Sequence, residues 1–367
     1  MKRVEKKKEY LYNKIEEKGC FKNHAFSLGQ HKGGNIMSQF KDMIGHEKII
    51  NHFQTAIKKG QVSHAYILEG EAGSGKKTLA KAFAQALECE SGSGESCETC
   101  HSCMMAQSGN HPDIIWVTHE KPNTISVADI RTQINGDIGV KPYSGNYKIY
   151  IIDEAEKMNE QAQNALLKTI EEPPAYAVLL LLASHTGYFL PTILSRCIKL
   201  PLKPVEEEKI RDYILAHTEV SREEAEFCAG YSMGNLGKAM DLAVSDTRNE
   251  LKKECVHLLS YIQEMEIHEV ISYMKEMGKY KEQILEVLDM MFVWFHDILI
   301  LKTTQNADRI VFKEQFNILN KMTVHMSYEG IQNILCAFDK AKLRLRANVN
   351  FDVALELLLL TIKENIL

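Results

Sequence analysis

The stretch Gly70-Glu71-Ala72-Gly73-Ser74-Gly75-Lys76-Lys77-Thr78 combines glycines, lysines and a hydroxyl at close spacing. Glycines let a backbone turn tightly enough to aim several N–H groups at one anion, and a helix starting there adds partial positive charge. In such a phosphate loop Lys76 would reach the β- and γ-phosphates of a nucleotide. A chance glycine-rich turn is the alternative. The apolar run that ends at Gly70 and the helical pattern from Lys77 favour the loop. One position departs from the pattern. The residue after the loop lysine should carry the hydroxyl that binds Mg2+, and here it is Lys77. An ammonium has donors only and cannot ligate a cation. Thr78 lies one position on, about 100° further round a helix. Phosphate can bind such a loop, while magnesium would be poorly held.

Two further groups of residues could do chemistry. The apolar run Ile149–Ile152 ends in Asp153-Glu154. In an active ATPase the first carboxylate supports Mg2+ and the second orients the attacking water. An acidic pair that merely favours a helix N-terminus is the alternative, and the phosphate loop tips the balance towards function. Cys89, Cys97, Cys100 and Cys103 are spaced C-x7-C-x2-C-x2-C. Short C-x2-C spacings let two thiolates reach one ion, and four thiolates close a tetrahedral shell around structural zinc. An iron–sulfur cluster takes the same ligands, and a set of inert cysteines is the third option. His101 is a lesser candidate ligand. Cys20, Cys197, Cys228, Cys255 and Cys336 stand alone and read as small core residues.

The elements that must position these groups are legible as alternation. Ala65–Leu68, Ile114–Val117, Lys148–Ile152 and Val178–Leu182 read as buried strands. A helix runs between the last two from Asn159 to Glu171, with Ala162, Leu166 and Ile170 on one face, and Pro173-Pro174 stops it. Apolar strands alternating with helices predict a parallel sheet covered on both faces. Beyond Pro201 the strand signals vanish. Short helices are expected over 206–246 and longer ones over 248–366, including Tyr280–Leu301 and Tyr328–Arg346. The apolar stretch Leu285–Leu301 is interrupted by Glu286, Asp289, His296 and Asp297, which predicts a buried helix and not a membrane span. Residues 90–96 read as a loop.

Composition sets the frame for these elements. The 367 residues are 45% apolar and 25% charged, which suits a globular chain of two or three domains with a substantial core. A net charge of −5 is too mild to argue for or against nucleic acid. The charged opening has no apolar stretch of a secretory signal. With clustered cysteines and no such signal, metal binding in the cytoplasm is expected over a disulfide framework. Residues 1–36 are polar and aperiodic, and the composition changes at Met37. Lys32-Gly33-Gly34 can be encoded by a purine-rich stretch like a ribosome-binding site, so the extension is expected to be either non-native or a disordered tail.

In chain order come GEAGSGKK, CETCHSC, NHPD, KIYIIDEAEKM, NALLKTIEEPP and LPTILSRC. This series resembles the bacterial sliding-clamp loader subunits, a branch of the AAA+ proteins, over about residues 38–203. LLKTIEEPP and ILSRC beside the cysteine module are its most specific parts. The resemblance implies an α/β AAA+ P-loop domain with a parallel sheet at 38–203, carrying a zinc module at about 89–103. It implies a small helical lid at 204–246 and an all-α collar at 247–367, after an extension at 1–37.

That family contains an ATPase motor, gamma/tau, and a partner with little or no turnover. Lys77 favours the partner. So does Gly237 in Gly234-Asn235-Leu236-Gly237, where the motor's lid carries an arginine that contacts nucleotide. The chain also ends at Leu367 without the long tail of tau. An active gamma/tau-like motor that tolerates Lys77 is the rival. A stand-alone zinc module that binds DNA is weak, because Glu88, Glu90, Glu95 and Glu98 make that segment acidic. By resemblance, Arg196 of Ser195-Arg196-Cys197 acts in trans on a neighbour's γ-phosphate, where a guanidinium is worth ~10³–10⁵ in rate. An arginine in a surface ion pair is the alternative. Ser184 falls near the family's polar residue at the end of the fourth core strand. Expected partners are gamma/tau and delta in a ring of five, the beta clamp and primed DNA. Zn2+ is the expected structural metal, and ATP binding by this chain is left open.

Overall fold

The structure, a computed structural model, describes residues 39–366 apart from 267, 270–271, 274–280, 282 and 348. The expected extension at 1–37, Cys20 and the expected helix start at Tyr280 therefore lie outside the described residues. The first elements are α1 (Glu47–Lys59), β1 (Ala65–Glu69), α2 (Lys76–Leu87), α3 (His101–Ser108), β2 (Ile114–Val117) and α4 (Val127–Ile130). They are followed by β3 (Lys148–Ile152), α5 (Glu160–Glu171), β4 (Ala177–Ala183), α6 (Pro191–Leu194) and β5 (Ile198–Pro201).

All five strands are parallel, in the order β2-β3-β4-β1-β5. Side chains alternate between the faces with period two. Ile67, Tyr150, Ile152, Leu179 and Leu181 pack with Ala162, Leu166 and Ile170 of α5 on one face. Tyr66, Leu68, Ile149, Ile151 and Leu180 pack with Phe53 of α1 and Phe83 of α2 on the other. The rings of Phe53 and Phe83 stack at 3.9 Å. Each fully buried Leu, Ile or Phe of this kind stabilises the sheet by roughly 1.5–3 kcal/mol.

Register brings the functional segments to one edge. Glu69 pairs with Ala183, and Ile152 pairs with Leu181. The chain therefore leaves β1, β3 and β4 at the same carboxyl edge, where open α/β sheets bind ligands. Gly70, Asp153 and Ser184 are the residues that follow these three strand ends.

Two strands differ from expectation. Residues 114–117 form an edge strand and not a buried one, and Trp116 is 38% exposed. β5 was not foreseen at all. Its Ile198-Lys199-Leu200-Pro201 is short, partly exposed and carries a lysine, so it presents no apolar run.

The remaining α-helices among the described residues include α7 (Glu207–His217), α8 (Arg222–Tyr231), α9 (Leu236–Val244), α10 (Asp246–Tyr261), α11 (Ile284–Thr304), α12 (Phe316–His325), α13 (Tyr328–Arg346) and α14 (Phe351–Ile366). The chain divides into two compact units. One ends at Tyr213 and takes back Gly234–Lys238; the other is built from Ile214–Met233 and the residues from Ala239 onward. α11 is the buried helix of the second unit, and its charged interruptions are anchors. Glu286 takes a bidentate pair from Arg248, with nitrogen–oxygen distances of 2.8 and 2.9 Å. Asp289 pairs with Lys342 of α13. Asp297 accepts the N–H groups of Val311 and Phe312 at 2.9 and 2.8 Å. Among the described residues no helix is long and apolar enough to cross a membrane.

Candidate functional site

The phosphate loop starts where Gly70 donates its N–H to Ala183 O at 3.0 Å. Gly73 and Gly75 have φ of 82° and 95°, a region that L side chains rarely adopt. Gly75 precedes α2, whose first-turn N–H groups have no intrahelical acceptor. Lys76 Nζ donates to Gly70 O and, at 2.8 Å, to Glu71 O. Ser74 Oγ is buried without a hydrogen-bond partner. An unsatisfied hydroxyl beside free N–H donors suits the phosphates of a nucleotide, so the residues fit that group. The turn brings Gly70, Gly73, Gly75 and Lys76 together.

The start of α9 and the residue ahead of it close on the same loop. Asn235 Nδ2 donates to Ala72 O at 2.8 Å, and Gly237 N–H donates to Gly73 O at 3.0 Å. A Cβ at position 237 would sit 2.6 Å from Gly73 O. The place expected for a lid arginine is thus filled by backbone. His46 was not foreseen. It has φ of 60°, and its Nε2 lies 3.1 Å from Ser74 O. Burial lowers its pKa, and since a carbonyl only accepts, Nε2 carries the proton.

Both acidic residues after β3 are held by lysines. Lys77 Nζ is 2.6 Å from Asp153 Oδ2. Glu154, in a left-handed conformation with φ of 48°, has Oε2 2.6 Å from Lys157 Nζ. Lys157 also donates to Pro122 O at 2.8 Å. Thr78 is half-buried and is not the partner of Asp153. Ser184 is met through its backbone, whose N–H donates to Glu156 Oε1 at 3.1 Å. Glu156 Oε2 is buried without a partner. Burial pushes the Lys76 pKa down, while Glu156 and then Asp153 draw it back up. Lys157 and Glu156 were missed because only the turn after β3 brings them to the loop.

The Sγ atoms of Cys89, Cys97, Cys100 and Cys103 all lie within 4.8 Å of one another. Local turns build this cluster. Cys97 N–H points to Cys89 Sγ at 3.3 Å, Cys100 N–H to Cys97 Sγ at 3.3 Å, and Cys103 N–H to Cys100 Sγ at 3.4 Å. The Cys100 N–H favours the thiolate form of the Cys97 sulfur it faces. Hydrogen bonds from the Thr99 hydroxyl and from the Thr99 and Cys100 backbones lower the Cys97 thiol to about 6. Four convergent sulfurs can hold a metal ion, and the residues fit one. His101 is exposed and outside the cluster. Behind it, Ser102 Oγ meets His111 Nε2 at 2.9 Å, and Asp113 accepts the N–H groups of Tyr143, Ser144 and Gly145.

Arg196 follows the short helix α6. Cys197 turns inward to the core beside Ile193, so Arg196 turns outward. Its Nη2 is 3.0 Å from Glu171 Oε1, and its Nη1 donates to Thr192 O at 3.0 Å and to Ser195 Oγ at 3.2 Å. Buried Gln163 fixes the approach to this turn. It donates to Tyr188 O at 3.0 Å and accepts the Leu190 N–H at 2.8 Å.

A parallel sheet with a phosphate loop after one strand, an acidic pair after another and helices behind defines an AAA+ P-loop module, here with a cysteine module between α2 and β2. A family model described as "DNA polymerase III, delta subunit" matches residues 45–206. The delta' subunit of DNA polymerase III from Bacillus subtilis is 28% identical over 321 residues, 86% of this chain and 96% of that protein. The tau/gamma subunit from Haemophilus influenzae is 36% identical over 179 residues, 48% of this chain but only 25% of that protein. A gamma-subunit-related protein from Thermotoga maritima overlays with a TM-score of 0.46 at 20% identity, covering 87% of this chain and 99% of that one. Over residues 45–206 the chain is thus similar to the clamp-loader subunits of bacterial DNA polymerase III. The match to delta' over most of both chains supports a delta'-type subunit over a gamma/tau-like motor.

Proposed function

We propose that this subunit helps load the beta sliding clamp onto primed DNA without turning over nucleotide itself, and that Arg196 completes the ATP site of a neighbouring subunit. The ion pair between Lys77 and Asp153 at 2.6 Å carries the reading. The carboxylate that would support magnesium is already neutralised by an ammonium. Lys157 does the same for Glu154, the carboxylate that would orient water. Gly70, Gly73, Gly75, Lys76 and Ser74 would hold phosphates when nucleotide is bound. Phosphates supply anionic charge there, and the loop N–H groups and Lys76 offset it.

Arg196 is then the chain's contribution to hydrolysis. A guanidinium delivered across a subunit boundary stabilises charge that builds on the transferred phosphoryl group. In the isolated chain it is half-exposed and already oriented by Glu171 and Thr192. The natural assembly would be a ring of five with gamma/tau and delta, working in the cytoplasm, with DNA held through backbone charge. Zinc is the metal that four thiolates with no open position suit best. It would tie the end of α2 to the start of α3 and do no chemistry.

The test is reconstitution. The chain is mixed with tau and delta subunits, assembly is followed by light scattering, and ATPase is measured with clamp and primed DNA. R196A should assemble normally while the stimulated rate falls about tenfold or more. An unchanged rate would remove the trans role of Arg196. Failure of the wild-type chain to assemble would remove the clamp-loader reading itself.

A further inference from the structure

We infer that Lys77 is a resident cation that lets the phosphate loop bind a nucleoside polyphosphate without magnesium. The inference rests on the reading of residues 70–76 as a phosphate site and goes beyond it. In such a loop the polyphosphate needs more positive charge than one lysine and the helix dipole provide. Magnesium, held by a hydroxyl and a carboxylate, is the usual supplement. Here the supplement is covalently attached.

Three observations carry this. Lys77 Nζ sits 2.6 Å from Asp153 Oδ2, on the carboxylate that would support the metal. The Lys77 side chain is 66% exposed while Asp153 is 23% exposed, so the ammonium is tethered at one end of an open stem and can also face a phosphate. Lys77 also lies in the first turn of α2, beside the free N–H groups of the loop. A divalent ion placed close to that ammonium would be repelled by it. An anion would meet attraction. The site therefore discriminates against the metal and keeps its affinity for the polyphosphate. Asn235 and Gly237 hold the Ala72 and Gly73 carbonyls. Those two bonds fix the loop through its carbonyls and use none of its own N–H groups.

The experiment measures ADP and ATP binding by calorimetry, on the full chain, in excess EDTA and in excess Mg2+. K77T restores the hydroxyl and removes the ammonium, and K76A removes the loop lysine. Circular dichroism and metal content show that each variant is folded. The wild-type dissociation constant should change by less than about threefold between EDTA and Mg2+, while that of K77T should tighten about tenfold or more when Mg2+ is added. Wild-type binding that needs Mg2+ overturns the resident-cation role and leaves the phosphate loop standing. Wild-type binding that K76A does not weaken, or no binding under either condition, overturns the phosphate-loop reading and the inference with it.

Discussion

Arg196 and Glu171 face one another at 3.0 Å, and each comes from a segment that ties this chain to the clamp loaders: the arginine from LPTILSRC, the glutamate from NALLKTIEEPP. The carboxylate orients the guanidinium but does not bury it. An exposed pair of this kind contributes ~0.2–1 kcal/mol to stability, so E171Q should unfold within a few degrees of wild type. In a reconstituted complex its stimulated ATPase should fall by about twofold to fivefold, less than in R196A, because the arginine loses one anchor out of several. Thermal unfolding and steady-state ATPase on the same preparation check both statements.

Gly237 closes on Gly73 so tightly that no side chain fits. G237A would place a Cβ 2.6 Å from Gly73 O. The start of α9 must then lift from the loop, with the loss of the Gly237 and Asn235 hydrogen bonds. The expected cost is about 1–3 kcal/mol, read by urea unfolding. G237R should be destabilised at least as much and should not gain turnover.

The cysteine cluster should hold about one zinc per chain. Chelation or C97S should lower that content sharply and loosen residues 89–103, since Cys89, Cys97 and Cys100 each accept an N–H within the module. Element analysis and limited proteolysis are the measurements. Less than about half an equivalent in freshly purified protein would count against a four-thiolate site.

Asp297 gives a pH dependence. Burial raises its carboxyl to about 7, although the Phe312 and Val311 N–H groups oppose the shift. In the unfolded chain an aspartate titrates near 3.9. Between these values the native state binds more protons than the unfolded state. Its contribution to stability is therefore complete at low pH, declines as pH rises from about 4 to about 7, and is flat above. D297N keeps an oxygen for the two N–H groups and removes the charge. It should flatten this slope and stabilise the protein above neutral pH by an amount on the order of 2 kcal/mol. Urea unfolding across that pH range is the check.

Much of this was legible from local pattern. The strands Ala65–Glu69, Lys148–Ile152 and Ala177–Ala183 are apolar on both faces because helices cover both, so they stand out as runs. Cysteine spacing is equally local, and the four sulfurs lie together. What escaped depends on edges and on pairs distant in sequence. β5 is an exposed edge with a lysine and a proline. Trp116 is apolar but lies on the opposite edge strand. Lys77 was readable as a defect, yet its partner Asp153 follows a different strand. The roles of Lys157, Glu156, His46 and Gln163 arise only once β1, β3 and β4 end together.

The proposed role requires that the carboxylates beside the phosphate loop, Asp153 and Glu154, held by Lys77 and Lys157, support no turnover. The most direct measurement is ATP hydrolysis by the purified chain alone, with Mg2+ and primed DNA, beside K76A. The two rates should be the same and at background. Turnover by the wild-type chain that K76A abolishes would contradict the proposed role.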